Sequence, residues 1–297
     1  MRILLTGSSG RVGRAIFGAL ASSHTVIGID RSPFSTTRHV ADFTDMNVLR
    51  PALAGVDAVI HTAALHAPHV GLSTDAEFDR INVQGTHALV FAAKAEGVRR
   101  FIFTSTTALY GDAVVAGQCT WVDETTVPQP KTIYHRTKLA AEALLEAEAA
   151  PGFCVRVVRM SRSFPEQPET MAVFRLHRGI DVRDVADAHV AVLQNGGADF
   201  QRYIASGRTP FLTEDCADLA YRPREVLLRR CPALVAELDR RRWPLPRTID
   251  RVYDPGAALR SLGWQSTLGP DNVFMQHDER SIEVLPRIAN YADRPGE

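Results

Sequence analysis

The sequence has little cysteine. Its four, Cys119, Cys154, Cys216 and Cys231, are scattered, with no CxxC spacing of a zinc site or redox pair. A disulfide scaffold is excluded, and a reduced, cytoplasmic setting is expected. No run of about 18 apolar residues occurs, so no membrane-spanning helix is expected. The opening MRILLTGSSG is too short an apolar run for a signal peptide and leads directly into a glycine turn. Net charge is missing as well, since 34 Lys and Arg balance 34 Asp and Glu. That argues against non-specific binding to nucleic acid or to an acidic membrane. Internal repeats and low-complexity tracts are also absent.

What remains is a chain of 297 residues, 45% hydrophobic and 23% charged, with material for a sizeable core. Short apolar runs alternate with helical periods through its first two-thirds. RILLTG, HTVIGID, DAVIHTAA, RRFIFTST and FCVRVVRM read as buried strands. RVGRAIFGALASS, a segment ending near VFAAKAEG, the stretch around IYHRTKLAAEALLEAE and VRDVADAHVAVLQN read as helices between them. That rhythm predicts an α/β fold with a doubly wound parallel sheet of the Rossmann kind. Residues 1–160 are expected to form the cofactor-binding core. Residues 161–297 are expected to form a mixed segment in which 180–205 return to the core and the rest makes a smaller substrate lobe. Beyond about residue 200 the sheet rhythm stops and prolines interrupt the helical stretches. The arginines there (Arg222, Arg224, Arg229, Arg230, Arg240, Arg241, Arg242) are interleaved with acids and read as a solvated face.

LLTGSSGRVGRAIF places Gly7, Gly10 and Gly13 between the first strand and the first helix. A tight turn there lets backbone approach a pyrophosphate, with Arg11 and Val12 at the helix start, where amides and the dipole meet the anion. Asp30, at the end of VIGID, stands where a carboxylate accepts the adenosine ribose hydroxyls and repels a 2′-phosphate, favouring NAD. Arg31 opposes that preference.

Tyr134 and Lys138 lie four apart, on one face of a predicted helix. Alone the pair is ordinary helix decoration. The hydroxyl cluster Thr104–Thr107, at the carboxyl end of a parallel strand, gives it a setting. A phenol has a pKa of about 10, too high for a base near neutrality. A lysine ammonium and a nicotinamide cation together stabilise the phenolate. Tyr134 then takes a carbinol proton while Thr106 holds the same oxygen.

With TGSSGRVG, the acidic end of the second strand, ADFTD, HTAA, NVQGT, TSTTALYG, YHRTK and RDVADAH in this order, the sequence resembles the extended short-chain dehydrogenase/reductase family of NAD-dependent sugar epimerases and dehydratases. The resemblance covers roughly residues 1–195 and the late LGW. It implies that Asp42 and Phe43 flank the adenine and that Ala63 and Ala64 line the cofactor backbone. It further implies that Asn82 supports the helix beside the nicotinamide, and that Thr106 is the catalytic hydroxyl. It implies a homodimer through the two helices flanking the central sheet, including the Tyr134 helix.

Two departures matter. Where dehydratases of that family carry an Asp-Glu pair, this chain has Thr107 and Ala108, which cannot move protons. Where the nucleotide-sugar epimerases carry Arg-x-x-Asn and a long clamp, it has Arg162 and a short segment, RMSRSFPEQPE, resembling uronate dehydrogenase. His66, Thr107, Arg162 and Arg175 are the candidate contacts to a small sugar-like substrate, with Arg178 a further candidate. A guanidinium suits a planar anion. His61, His66 and His69 run from a strand into a loop, and no metal site is expected. Release of NADH (a dehydrogenase) and return of the hydride (an epimerase) stay open, as does a non-catalytic NAD sensor.

Overall fold

The computed structural model describes residues 1–287. The five apolar runs become β1 (Arg2–Thr6), β2 (Thr25–Asp30), β4 (Ala58–His61), β5 (Arg100–Thr106) and β7 (Cys154–Met160). The structure adds a two-residue β3 (His39–Val40), β6 (Thr120–Val122), β8 (Phe200–Ala205) and β9 (Arg251–Tyr253), which the sequence rhythm does not show. The helices are α1 (Arg11–Leu20), α2 (Met46–Leu53), α3 (Asp75–Asp79), α4 (Thr86–Ala95), α5 (Ile133–Glu148) and α6 (Pro168–Phe174). After them come α7 (Val182–Gln194), α8 (Cys216–Tyr221), α9 (Pro223–Arg230), α10 (Pro232–Arg240), α11 (Gly256–Leu262) and α12 (Pro270–Asp278).

Seven strands form one sheet in the order β3-β2-β1-β4-β5-β7-β8, with every neighbouring pair parallel. Strand side chains alternate between faces, and both faces are covered, which is why these runs are mostly apolar. Leu4, Val59, Phe101, Phe103, Val155 and Val157 pack against Leu53, Leu89, Val90, Ala141 and Leu145 of α2, α4 and α5. Ile3, Leu5, Ala58, Ile60, Ile102 and Val158 pack on the other side against Ile16 and Leu20 of α1 and Val185, Ala188 and Val192 of α7. The chain leaves β1 towards β2 on one side and reaches β4 on the other. Loops therefore diverge above the β1–β4 pair and open a crevice at the carboxyl ends of the strands.

The second lobe has its own core of Met171, Leu219, Val226, Leu234, Leu238, Trp243 and Phe274, joined by Cys119 and Val252. β6, from the middle of the chain, pairs there with β9 in parallel. The prolines that read as interruptions instead start helices: Pro223 and Pro232 sit in the first turns of α9 and α10, where a missing N–H costs nothing. The arginines of this region form ion pairs on the surface. Arg229 and Arg230 share Asp215, Arg240 and Arg241 share Glu237, Arg222 meets Asp218 and Arg224 meets Asp239. Among the described residues no helix is long and apolar enough to cross a membrane.

Candidate active site

A cleft of about 430 Å³ opens over β1 and β4, within the size range of small-ligand sites. The glycine turn forms one end. Gly7 has φ +72°, and a Cβ on it would meet Thr62 Oγ1 at 2.5 Å. A Cβ on Gly13 would meet the Gly7 carbonyl at 2.1 Å, so glycine lets α1 sit directly on the turn. No side chain caps α1 at Gly10, and Gly10, Arg11, Val12 and Gly13 line the cleft. An uncapped helix start facing a cavity suits an anion. Asp30 closes this end, its carboxylate accepting the Ser9 N–H at 3.1 Å and the Ser32 N–H at 2.9 Å. Arg31 lies beside it, exposed. Asp42 accepts from the Thr44 N–H and hydroxyl, both at 2.9 Å, which fixes the turn presenting Phe43. Ala63 and Ala64 line the wall, and Thr62 anchors them by donating to the Thr6 carbonyl at 2.7 Å. A carboxylate, an uncapped helix start and an apolar wall match the ribose, diphosphate and ring portions of a dinucleotide, so these residues fit NAD.

Arg11 is engaged elsewhere. Its guanidinium donates to the Ser163 carbonyl, to Ser163 Oγ at 2.9 Å and to the Glu283 carboxylate, with Nε at 3.0 Å.

Thr106, Tyr134 and Lys138 meet at the cleft floor. Thr132 caps α5 by accepting the His135 N–H, which sets Tyr134 in the first turn and Lys138 one turn on. The Thr106 hydroxyl accepts the Ala108 N–H at 3.1 Å and lies near enough to the Tyr134 phenol to pull its pKa down. Lys138, 3% exposed, donates to the Thr104 carbonyl at 2.8 Å and lies 4.4 Å from the centre of the Phe103 ring. Burial pushes the Tyr134 phenol up to about 12, against the pull of the Thr106 hydroxyl. Burial also draws Lys138 down to about 7, against the pull of Glu142. The sequence expectation of a phenol lowered by its lysine is therefore not met by the protein alone. The ammonium is directed at Thr104, and desolvation outweighs it.

The other expected residues divide. His66 lines the cleft, bonded to His69 (Nδ1 to Nδ1, 2.8 Å) and facing Phe164 with ring centres 6.1 Å apart. Burial first, then His69 and Lys138, lowers it to about 4, so it acts as a neutral hydrogen-bonding group. Thr107 and Arg162 also line the cleft. Arg175 does not. It is 2% exposed and held by Asp181 at 3.1 Å under the lobe, and is withdrawn as a substrate contact. Asn82 does not touch the cleft either. It sits in a π-helical turn, Arg80–Gly85, and clamps the Leu65 N–H and carbonyl, each at 2.8 Å. It also donates to the Thr137 hydroxyl at 3.1 Å, so it ties the loop after β4 to α5, the helix that carries Tyr134 and Lys138. His61 is buried between the Thr6 and Thr86 hydroxyls at 2.6 and 3.0 Å. Among the described residues no group of His, Cys, Asp and Glu could hold a metal.

Sequence reasoning missed Arg251 and Tyr253, which β9 brings to the mouth beside Arg178. It also missed Glu142, behind Lys138, although an acid two turns from Tyr134 on the same helix face was a readable signal.

Comparison with known proteins agrees with this geometry. The model of the NAD dependent epimerase/dehydratase family matches residues 3–173. An NAD-dependent glucose-6-phosphate dehydrogenase of Haloferax volcanii is 32% identical over 164 residues, covering 48% of this chain and 60% of that protein. A 3 beta-hydroxysteroid dehydrogenase/Delta 5-->4-isomerase of Mycobacterium tuberculosis is 30% identical over 185 residues, 57% of this chain and 49% of that protein. The chain spans about half the length of the curated relatives it matches. Among solved structures, MoeE5 in complex with UDP-glucose and NAD superposes with a TM-score of 0.68 at 23% identity, covering 93% of this chain and 97% of that one. A short-chain dehydrogenase/reductase superfamily protein from Agrobacterium tumefaciens with bound NAD gives 0.66 at 23% identity, covering 93% and 95%. Likeness at that identity speaks to the fold alone. The family match spans more than half of the sequence, from β1 to the last turn of α6, and the chain belongs to the NAD-dependent epimerase/dehydratase family.

Proposed function

We propose that this protein is an NAD-dependent oxidoreductase acting on a carbinol of a small, anionic, sugar-like substrate. The observation that carries the reading is one cleft with three parts. The glycine turn and Asp30 lie at one end, Thr106, Tyr134 and Lys138 on the floor, and Arg162, Arg178 and Arg251 at the mouth. Asp30 receives the adenosine ribose, the start of α1 receives the diphosphate, and Asp42 with Phe43 bounds the adenine. Bound there, the dinucleotide supplies the hydride acceptor and a positive ring. Thr106 holds the carbinol oxygen and Tyr134 takes its proton. Lys138 keeps positive charge close to the phenolate. The three arginines orient the anionic end of the substrate, and neutral His66 bonds a hydroxyl.

Residues 1–160 carry cofactor and chemistry in this reading. Of the rest, 180–205 return to the sheet and the remainder shapes the substrate end. A cytoplasmic homodimer through α4 and α5 is part of the proposal, and Phe91, 67% exposed on α4, supports it. A second reading, a nucleotide-sugar epimerase that keeps its cofactor, is favoured by the contact of the cleft-lining Arg11 with Glu283 of the late segment.

The deciding experiment mixes purified protein with NAD and a panel of free sugars, sugar acids and nucleotide sugars, following NADH absorbance. A steady rise with a sugar acid or sugar phosphate supports the dehydrogenase. No rise, with an epimer on chromatography, supports the second reading. Neither result with any substrate, together with a cellular role kept by Tyr134→Phe, leaves a non-catalytic NAD sensor.

A further inference from the structure

Directly behind the catalytic lysine lies a buried ion pair. Glu142 follows Lys138 by one turn and Tyr134 by two, so the three share a face of α5. The Glu142 carboxylate is 1% exposed and accepts from Arg159 through Nε, at 3.1 Å to each oxygen, and Nη2 at 2.6 Å. Ser105 Oγ donates to it at 2.5 Å. Arg159, also 1% exposed, donates from Nη1 to the Tyr110 hydroxyl at 2.9 Å, and that hydroxyl donates to the Asp123 carbonyl at 2.9 Å. Ser105 and Arg159 are register partners on β5 and β7, so both face α5.

Stability is a poor reason for such a pair, since apolar residues of similar volume commonly serve as well or better. Its neighbour supplies another. The groups around Lys138 are Tyr134 and Glu142 on its own helix, the Thr104 carbonyl and Phe103 ring of β5, His61 of β4 and His66 of the loop beyond. Burial keeps both histidines neutral. Glu142 is the anion of that set, and its charge is what opposes the loss of the Lys138 proton.

We propose that Glu142, pinned by Arg159 and Ser105, is a positioning residue that keeps the buried Lys138 ammonium charged and thereby sets how readily Tyr134 yields its proton. The proposal rests on the oxidoreductase reading, but its test does not. The chain has three lysines, Lys94, Lys131 and Lys138. Lys94 and Lys131 pair with Glu148 and Asp112 at the surface. The side-chain NMR spectrum of lysine-labelled protein therefore resolves Lys138 as the signal that Lys138→Met removes, with no substrate present. In Glu142→Gln its titration midpoint is expected to fall by about one pH unit, roughly a tenfold loss of charged lysine at fixed pH. Glu142→Asp is expected to restore most of it. In the NAD-loaded protein the Tyr134 phenolate absorbance, isolated by difference from Tyr134→Phe, should move to higher pH in Glu142→Gln.

An unmoved Lys138 midpoint in a variant with wild-type near-ultraviolet circular dichroism overturns the proposal. If Glu142→Gln does not fold, Glu142→Leu with Arg159→Met removes the pair. Loss of the carboxylate lowers the Lys138 midpoint and loss of the guanidinium raises it, so a lowered midpoint supports the proposal and an unmoved or raised one overturns it. A shifted lysine in a protein that oxidises no sugar would sink the oxidoreductase reading while leaving the positioning role intact.

Discussion

Arg178 and Arg251 share one carboxylate, that of Asp250. Arg251 holds it with Nε at 3.0 Å to Oδ1 and a second bond to Oδ2, while Arg178 reaches Oδ1 at 3.5 Å. Two cations with one anion leave positive charge at the mouth of the cleft. Arg178 is lowered from its ordinary range, by burial first and then by Arg251, so an incoming anion relieves both strains. Arg251→Met should raise KM for an anionic sugar about tenfold to hundredfold with kcat little changed, the loss of one charge-assisted hydrogen bond. Steady-state kinetics with a neutral sugar of equal size is the control. An equal rise in both KM values would mean the arginine shapes the pocket without reading charge.

Tyr134→Phe deletes the proposed proton acceptor and leaves the glycine turn untouched. Turnover should fall by about a hundredfold to ten-thousandfold, the usual worth of a positioned acid or base. NADH binding, followed by fluorescence, should stay within a factor of about three of wild type. Turnover retained in this variant would remove Tyr134 from the reaction.

The parts of this site that were legible in the sequence are those whose signal is local. A glycine turn between strand and helix, an acid ending the second strand and a Tyr-Lys pair at one-turn spacing each announce themselves within a few residues. The mouth of the cleft does not. Arg251 and Tyr253 stand on a three-residue strand between Asp250 and Asp254-Pro255, too short to show alternation, and its partner β6 is remote in sequence. Arg175 and Arg178 look alike in FRLHRG, yet Asp181 draws the first into the interior while the second lines the cleft. The same limit applies to Asn82, whose bonds reach the distant backbone of Leu65 and the Thr137 hydroxyl of α5. Five of the seven strands of the large sheet were readable because burial on both faces makes them largely apolar runs, whereas β3 has two residues and β8 carries Gln201 and Arg202. The small lobe was not, because prolines that start helices look like prolines that end them.

Asp30 accepts the amide of Ser9 at the end of the cleft proposed for the ribose. Asp30→Asn keeps a hydrogen-bonding group of equal size and removes the charge that repels a 2′-phosphate. The ratio of NADPH to NADH dissociation constants should drop about tenfold, consistent with one screened charge pair near the surface. Arg31, beside it, then favours the phosphate outright. An unchanged ratio would show that the carboxylate does not select the cofactor.

Lys138 also leaves a mark on stability. Burial draws its pKa down to about 7 from an ordinary 10.5. Between these values the unfolded chain holds a proton that the folded chain lacks, so this group makes stability rise with pH across that window. Below about 7 the ammonium is charged in both states and the folded state bears its whole desolvation. Lys138→Met should therefore raise Tm most on the acid side of 7 and progressively less towards 10.5. A gain on the order of 1–3 kcal/mol is expected after loss of the hydrogen bond to Thr104. Thermal melts at several pH values check this, and a variant uniformly less stable than wild type would contradict the sign.

Arg11 joins three segments that lie apart in sequence: its own glycine turn, Ser163 after β7, and Glu283 beyond α12. The Leu285 N–H seats the same late segment on the Glu166 carbonyl at 3.0 Å. Arg11 and Ser163 line the cleft at the end of the glycine turn, so the contact with Glu283 sits beside the place proposed for the diphosphate. Both partners are partly exposed, at 22% and 31% of their side-chain surface, so the pair contributes at most about 1 kcal/mol. That is weak enough to open on every turnover and strong enough to change a rate. Glu283→Gln should speed NADH dissociation by up to about fivefold in stopped-flow measurements, since none of the groups that hold the ribose or the ring is altered. In an enzyme that must release NADH at each cycle, kcat rises with it wherever release is the slow step. In one that returns the hydride, epimerisation is unchanged while NADH leaks into solution. A dissociation rate equal to wild type would remove the contact from cofactor exchange altogether, leaving Arg11 a tether between lobes.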